Sequence, residues 1–221
     1  MSICNNIKHL KASLPEGVTL VAVSKYHPKE AILEAYNAGQ RIFGESRAQE
    51  LVAKEKSLPA DIEWHFIGQL QTNKVKEIAS FIHTIHSIDS LKLINETEKQ
   101  AAKQNRIIRI LLEIHLAQEA TKSGFTPEEC KNLLSTLSLK DYPHLQIDGL
   151  MTMATNTENT EQIHQEFRRL RILFEELKNS YFQNSANFTV LSMGMSADYP
   201  IAISEGSNMI RIGSKIFEVR E

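Results

Sequence analysis

The stretch "VTLVAVSKYHPKEAILEAYNAG", residues 18 to 39, changes character half way along. "VTLVAVS" (18–24) is a β-branched, apolar run that reads as a buried strand. "PKEAILEAYNAG" (28–39) has a proline at its start and a glycine at its end, the punctuation of a helix. A strand followed by a helix is the unit of an α/β fold, and it recurs along the chain. "RIFGES" (41–46) is a short strand, followed by the helix "RAQELVAKEKS" (47–57) with Ala48, Leu51 and Val52 on one face. "IEWHFIG" (62–68) precedes the helix "TNKVKEIAS" (72–80). "FIHTIHSID" (81–89) precedes "SLKLINETEKQAAKQN" (90–105), whose first serine is an N-cap. Strand five is "RIIRILLEI" (106–114), and the helix "TPEECKNLLSTL" (126–137) is capped by Thr126 and begun by Pro127. Strand six, "LQIDGLMTM" (145–153), leads to the charged, solvated helix "NTEQIHQEFRRLRILFEELKNS" (159–180). "FTVLSMG" (188–194) is strand seven, "ADYPIAISEG" (197–206) a short helical stretch, and "NMIRIGSKIF" (208–217) strand eight.

Eight strands alternating with helices predict an α/β fold, a single (β/α)8 TIM-like barrel over residues 1–221. A doubly wound open sheet shares the local pattern and stands as the alternative. No repeat of fixed period, low-complexity tract or linker marks a domain boundary. Apolar residues at 42% and charged residues at 24% describe an ordinary globular protein. The net charge of −2, without a long basic run, gives no footprint for nucleic acid. Cys4 and Cys130 lie far apart and outside any Cys/His cluster, which points to a reducing compartment rather than a disulfide framework or zinc site. "MSICNNIKHLKASLPEG" (1–17) has no hydrophobic signal core, and no apolar run approaches the ~20 residues that cross a membrane. A cytoplasmic protein without membrane or nucleic-acid partners is predicted.

Barrels gather their chemistry at the C-terminal ends of the strands, and Lys25 stands at the end of strand one. Its side chain either snorkels to water or supplies a partly desolvated amine that attacks carbonyls and forms Schiff bases. Loops after strands seven and eight are frequent phosphate seats. Here they read "SMGMS" (192–196) and "RIGS" (211–214), combining glycines, serine hydroxyls and one fixed cation. Either loop alone also reads as an ordinary turn. Both together with a strand-end lysine suggest a phosphate-bearing aldehyde or ketone as ligand. On strand three, Trp64 and Phe66 face the helices and His65 points inward, as a structural group or a ligand contact. His83 and His86 share a strand without a third ligand at metal spacing and read as packing or loop residues, so no metal centre is predicted. Glu113 and His115 alternate as inward polar groups on strand five.

Six segments carry a family resemblance: "AVSKYHP" (22–28), "FGESRAQE" (43–50), "WHFIGQLQTNK" (64–74), "SIDS" (87–90), "GLMTMA" (149–154) and "LSMGMSADYPIAISEGSNMIRIGSKIF" (191–217). In this order they resemble the YggS/PROSC family of pyridoxal 5′-phosphate (PLP)-binding proteins, the PLP homeostasis proteins. The resemblance implies the barrel of the alanine racemase N-terminal domain without that enzyme's second, β-rich domain. It implies that Lys25 is the Schiff-base lysine and that Arg211 lies near the pyridine nitrogen. It also implies that Ser192, Ser196, Gly213 and Ser214 lie near the PLP phosphate. One position departs: Ser46 stands where the family commonly has asparagine, and a hydroxyl donates only one hydrogen bond.

Three functions follow. The first is PLP binding for intracellular vitamin B6 homeostasis, holding the cofactor on Lys25 without substantial turnover and supplying PLP-dependent apoenzymes. The second is a PLP-dependent amino-acid racemase or decarboxylase, and the third, from the residues alone, a Schiff-base aldolase acting on a phosphorylated sugar. The resemblance favours the first. A two-base racemase needs an acid/base on each face of the cofactor. In the related racemases one base is a tyrosine from the second domain of a partner subunit, which a chain of 221 residues is too short to include.

Overall fold

The computed structural model describes residues 2–117 and 123–217. Its eight strands are β1 (Thr19–Val23), β2 (Ile42–Glu45), β3 (Glu63–Phe66), β4 (Thr84–Ile88), β5 (Ile108–Glu113), β6 (Leu145–Met151), β7 (Val190–Ser192) and β8 (Met209–Ile212). They pair in chain order, every pair parallel, and close into a barrel where β1 meets β8. The helices are α1 (Ile3–Ser13), α2 (Lys29–Asn37), α3 (Ala48–Glu55), α4 (Val75–Ile78), α5 (Leu91–Lys103), α6 (Pro127–Thr136), α7 (Thr160–Ser180), α8 (Tyr199–Ser204) and α9 (Ser214–Phe217). The closed barrel excludes the open doubly wound sheet.

Alternation along each strand divides the core in two. Outward residues such as Leu20, Ala22, Phe43, Trp64, Phe66 and Ile210 join the helices in one continuous apolar layer. Val21, Leu111, Met151 and Met209, from four different strands, pack together inside the barrel. Trp64 and Phe66 thus face the helices and His65 faces inward, as their spacing predicts. β6 bulges where Leu111 pairs with Gly149 rather than with Asp148. A Cβ on Gly149 would fall 1.8 Å from the Val190 carbonyl oxygen, so only glycine admits β7 here.

The helix starts obey their local signals. Ser90 accepts a bond from the Leu93 N–H, and Thr126 and Glu129 form a reciprocal capping box with Pro127 in the first turn. Two elements differ from the sequence reading. Residues 3–13, read only for a leader segment, form α1, which buries Ile7 and Leu10 and donates from Asn6 to the Ile216 carbonyl. Strand eight stops at Ile212 instead of running to 217. The Gly213 carbonyl accepts from the N–H groups of Ile216 and Phe217, which turns the chain into α9. Among the described residues no helix is long and apolar enough to cross a membrane.

Candidate functional site

Lys25 follows β1 at the C-terminal mouth of the barrel, and its side chain is exposed. Of the two readings open for this lysine, the side chain that reaches water is the one found, and the protein alone does not desolvate it. Among the described residues its ammonium has neither a hydrogen bond nor an ion pair, and lies 5.9 Å from the centre of the Tyr26 ring. The backbone carrying it is held from below. Lys54 of α3, buried, donates to the Ser24 carbonyl (2.8 Å), to Glu45 Oε1 (2.7 Å) and to Glu50 Oε1 (2.6 Å). Those three bonds use all three protons of an ammonium. Glu45 also accepts from the Ser24 hydroxyl at 2.6 Å, and Glu50 from the Tyr26 N–H at 2.7 Å. Residues on both sides of Lys25 are thereby tied to one buried cation. Tyr26 adopts φ = 66°, a left-handed conformation that a bulky residue keeps only under such constraint. Burial pushes the Glu45 carboxyl up, against the bonds from Lys54 and Ser24.

Arg211 projects from β8 into the barrel and is 4% exposed. Its guanidinium donates to the Ser192 hydroxyl at 2.6 Å and to the Thr152 carbonyl at 2.9 Å. Burial lowers its pKa to about 10, with Asp198 and Glu113 opposing the fall, so it remains a cation at neutral pH. No carboxylate of the described residues pairs with it directly. The Ser192 oxygen also meets His86 Nδ1 at 3.1 Å, and His86 Nε2 meets His65 Nδ1 at 2.8 Å. Burial holds both imidazoles far below their ordinary pKa, so each is neutral. Arg211, Ser192, His86 and His65 thus form one hydrogen-bonded chain through the interior. Glu113, inward at the end of β5, is pushed up to about 7 by burial and by Asp89, with Arg211 opposing. Its Oε2 and the Nδ1 of His115 are buried without a partner among the described residues.

The two expected loops meet above Arg211. The Ser196 hydroxyl accepts from the Gly213 N–H at 3.3 Å, and Ser214 opens α9 beside it. A Cβ on Gly213 would come 3.2 Å from the carbonyl oxygen of Val23, two residues before Lys25. Gly194 has a different task from ligand approach. With φ = 96°, it packs against α8, where a Cβ would fall 2.6 Å from that of Ala202. Ser192, expected in the same cluster, is fully buried and engaged by Arg211 and His86. Ser46 is half-buried after β2, its carbonyl oxygen 2.4 Å from where a Cβ on Gly68 would lie. Residues 118–122 of the loop "EIHLAQEATKSG" (113–124) lie outside the described residues. Sequence reading gave no role to Glu45, Glu50, Lys54 or Thr152. Only the i,i+4 spacing of Glu50 and Lys54 signalled a pair.

The model of the alanine racemase N-terminal domain family matches residues 2–221. The pyridoxal phosphate homeostasis protein of Aquifex aeolicus (strain VF5) is 42% identical over 204 residues, covering 91% of this chain and 87% of its own. PipY of Synechococcus elongatus PCC7942, in its structure with PLP bound, superposes with a TM-score of 0.89 at 36% identity, covering 98% of this chain and 100% of its own. Alanine racemase of Clostridium difficile 630 superposes with a TM-score of 0.76 at 14% identity, over 97% of this chain and 55% of its own, and shares the fold.

Glu113 makes stability depend on pH. Its folded pKa of about 7 lies above the unfolded value of about 4.3. Stability from the protonated carboxyl is full below about pH 4 and is lost as pH rises through 7. Between pH 5 and pH 8 the wild type should lose about 2–3 kcal/mol relative to Glu113→Gln. Urea unfolding at both pH values measures this, and parallel stabilities for the two proteins would place Glu113 at an ordinary pKa.

Proposed function

The chain belongs to the alanine racemase N-terminal domain family and, within it, to the pyridoxal phosphate homeostasis proteins, and from that premise we propose that it binds PLP and serves intracellular vitamin B6 homeostasis. In this proposal Lys25 holds PLP as a Schiff base, without substantial turnover. The observation that carries it is an exposed lysine amine with no hydrogen-bond or ion-pair partner among the described residues, on a braced strand end beside the Ser196–Gly213 contact. PLP supplies an aldehyde for the amine and, when its ring nitrogen is protonated, an electron sink. The Ser196 hydroxyl, the Gly213 backbone and the Ser214 hydroxyl would receive the phosphate. Ser192, held near this cluster, supports Arg211 through its hydroxyl.

Arg211 separates holding from catalysis. Two of its five N–H donors go to Ser192 and Thr152, which leaves donors for the pyridine nitrogen. An arginine has no acceptor and stays cationic, so the nitrogen it contacts remains unprotonated and carbanions are poorly stabilised. The racemase or decarboxylase alternative would draw on Glu113, whose pKa near 7 suits an acid/base, but the neighbouring Arg211 works against it. We take residues 1–221 as one PLP-binding barrel domain acting in the cytoplasm, with PLP-dependent apoenzymes as recipients and no nucleic-acid partner. The aldolase reading is set aside on family membership.

Loaded with PLP and then desalted to remove unbound cofactor, the protein should stay yellow, and Lys25→Ala treated the same way should lose that visible band. Turnover of any common amino acid should stay below ~1 s⁻¹, the lower end of typical enzyme rates. Colourless wild type after desalting, or a Lys25→Ala protein that stays equally yellow, sinks PLP binding on Lys25; turnover at or above that rate sinks the non-catalytic role. Nitrogen-15 NMR of labelled PLP on the protein at neutral pH should show an unprotonated pyridine. A protonated resonance would remove Arg211 from the ring nitrogen.

A further inference from the structure

We infer that Glu63, His65 and His83 form a site for one divalent transition-metal ion of the zinc class, at the N-terminal mouth of the barrel. Glu63 opens β3 and His83 immediately precedes β4, at the opposite ends of the strands from Lys25. One ligand atom from each of the three residues lies within 4.8 Å of the others. His83 Nε2 and Glu63 Oε2 are 3.5 Å apart. Two ligands of a tetrahedral ion with bonds of about 2.0–2.1 Å stand about 3.4 Å apart, so this pair is already at ligand spacing.

The second nitrogen of each imidazole is occupied in a way that leaves Nε2 for the ion. His83 Nδ1 bonds Thr84 Oγ1 at 2.8 Å, and His65 Nδ1 bonds His86 Nε2 at 2.8 Å. Metal-ligating histidines almost always have their other nitrogen fixed this way. His65 is 2% exposed, and its Nε2 has no partner among the described residues. A buried polar atom left unpaired is costly and calls for an explanation; an ion at this position satisfies it. The two rings lie parallel with centroids 5.4 Å apart, so the partly exposed His83 must tilt to share an ion with His65. Arg109 opposes a cation here, and Asp148, 3.7 Å from it, offsets that charge.

Two imidazoles with one carboxylate suit zinc, cobalt or nickel better than calcium or magnesium, which prefer all-oxygen shells. Three protein ligands leave the fourth position to water. Spacing along the strand of His83 and His86 does not disclose this set, because Glu63 and His65 come from the neighbouring strand.

Titration calorimetry of the chelator-treated full chain with zinc chloride tests the site, and the visible bands of bound cobalt report its geometry. One zinc ion should bind per chain with a Kd of about 1 μM or tighter. Thr84→Val should weaken binding about 10-fold or more, and His83→Ala and Glu63→Gln each by ~100-fold or more. Desalted after loading with PLP, both ligand variants should keep the wild-type visible band, which shows an intact barrel. Absence of one-to-one zinc binding by the wild type, or affinity unchanged in both ligand variants, overturns the inference.

Discussion

The pairing of β1 with β8 joins the two ends of the chain, and the Lys25 site exists only because of it. Thr19 to Ala22 lie level with Met209 to Ile212. That register closes the barrel, leaves no strand edge unpaired, and sets Arg211 beside Val21 inside. It also lets Gly213 approach the carbonyl of Val23 more closely than a side chain allows comfortably. A lysine near residue 25 and a serine-glycine loop near residue 213 become neighbours by closure alone.

Two buried cations then organise the mouth, each in its own way. Lys54 sits between sheet and helix, paired with carboxylates, and its whole hydrogen-bonding capacity fixes the backbone on either side of Lys25. Arg211 sits inside the barrel and is satisfied by neutral acceptors, with Glu113 and Asp198 acting only across a distance. Burying a cation without a paired anion is expensive, so this charge is built in rather than tolerated. The result is an exposed lysine at the rim and a buried arginine beneath it. Such a pair suits retention of an aldehyde phosphate better than chemistry that needs a protonated pyridine.

The fold was legible because strand and helix periods alternate cleanly from residue 18 onward, and capping residues such as Ser90 and Thr126 mark helix starts. α1 was legible too, in Ile3, Ile7 and Leu10 at helical spacing, but those residues were read only for a leader segment. β8 was overextended because "GSKIF" (213–217) keeps an apolar pattern while its hydrogen bonds turn helical. Lys25, Ser196, Arg211, Gly213 and Ser214 were legible as strand-end groups. The network joining Glu45, Glu50 and Lys54 was not, since it links a strand to a helix in three dimensions. The exposure of Lys25 was one of two readings left open, because a strand's apolar run does not reveal where the barrel wall ends.

If Lys25 holds PLP, borohydride reduction of the PLP-loaded protein fixes the cofactor there, and peptide mass mapping locates it. A stable pyridoxyl adduct should appear on the peptide containing Lys25. An adduct confined to another lysine, such as Lys54 or Lys215, would contradict it.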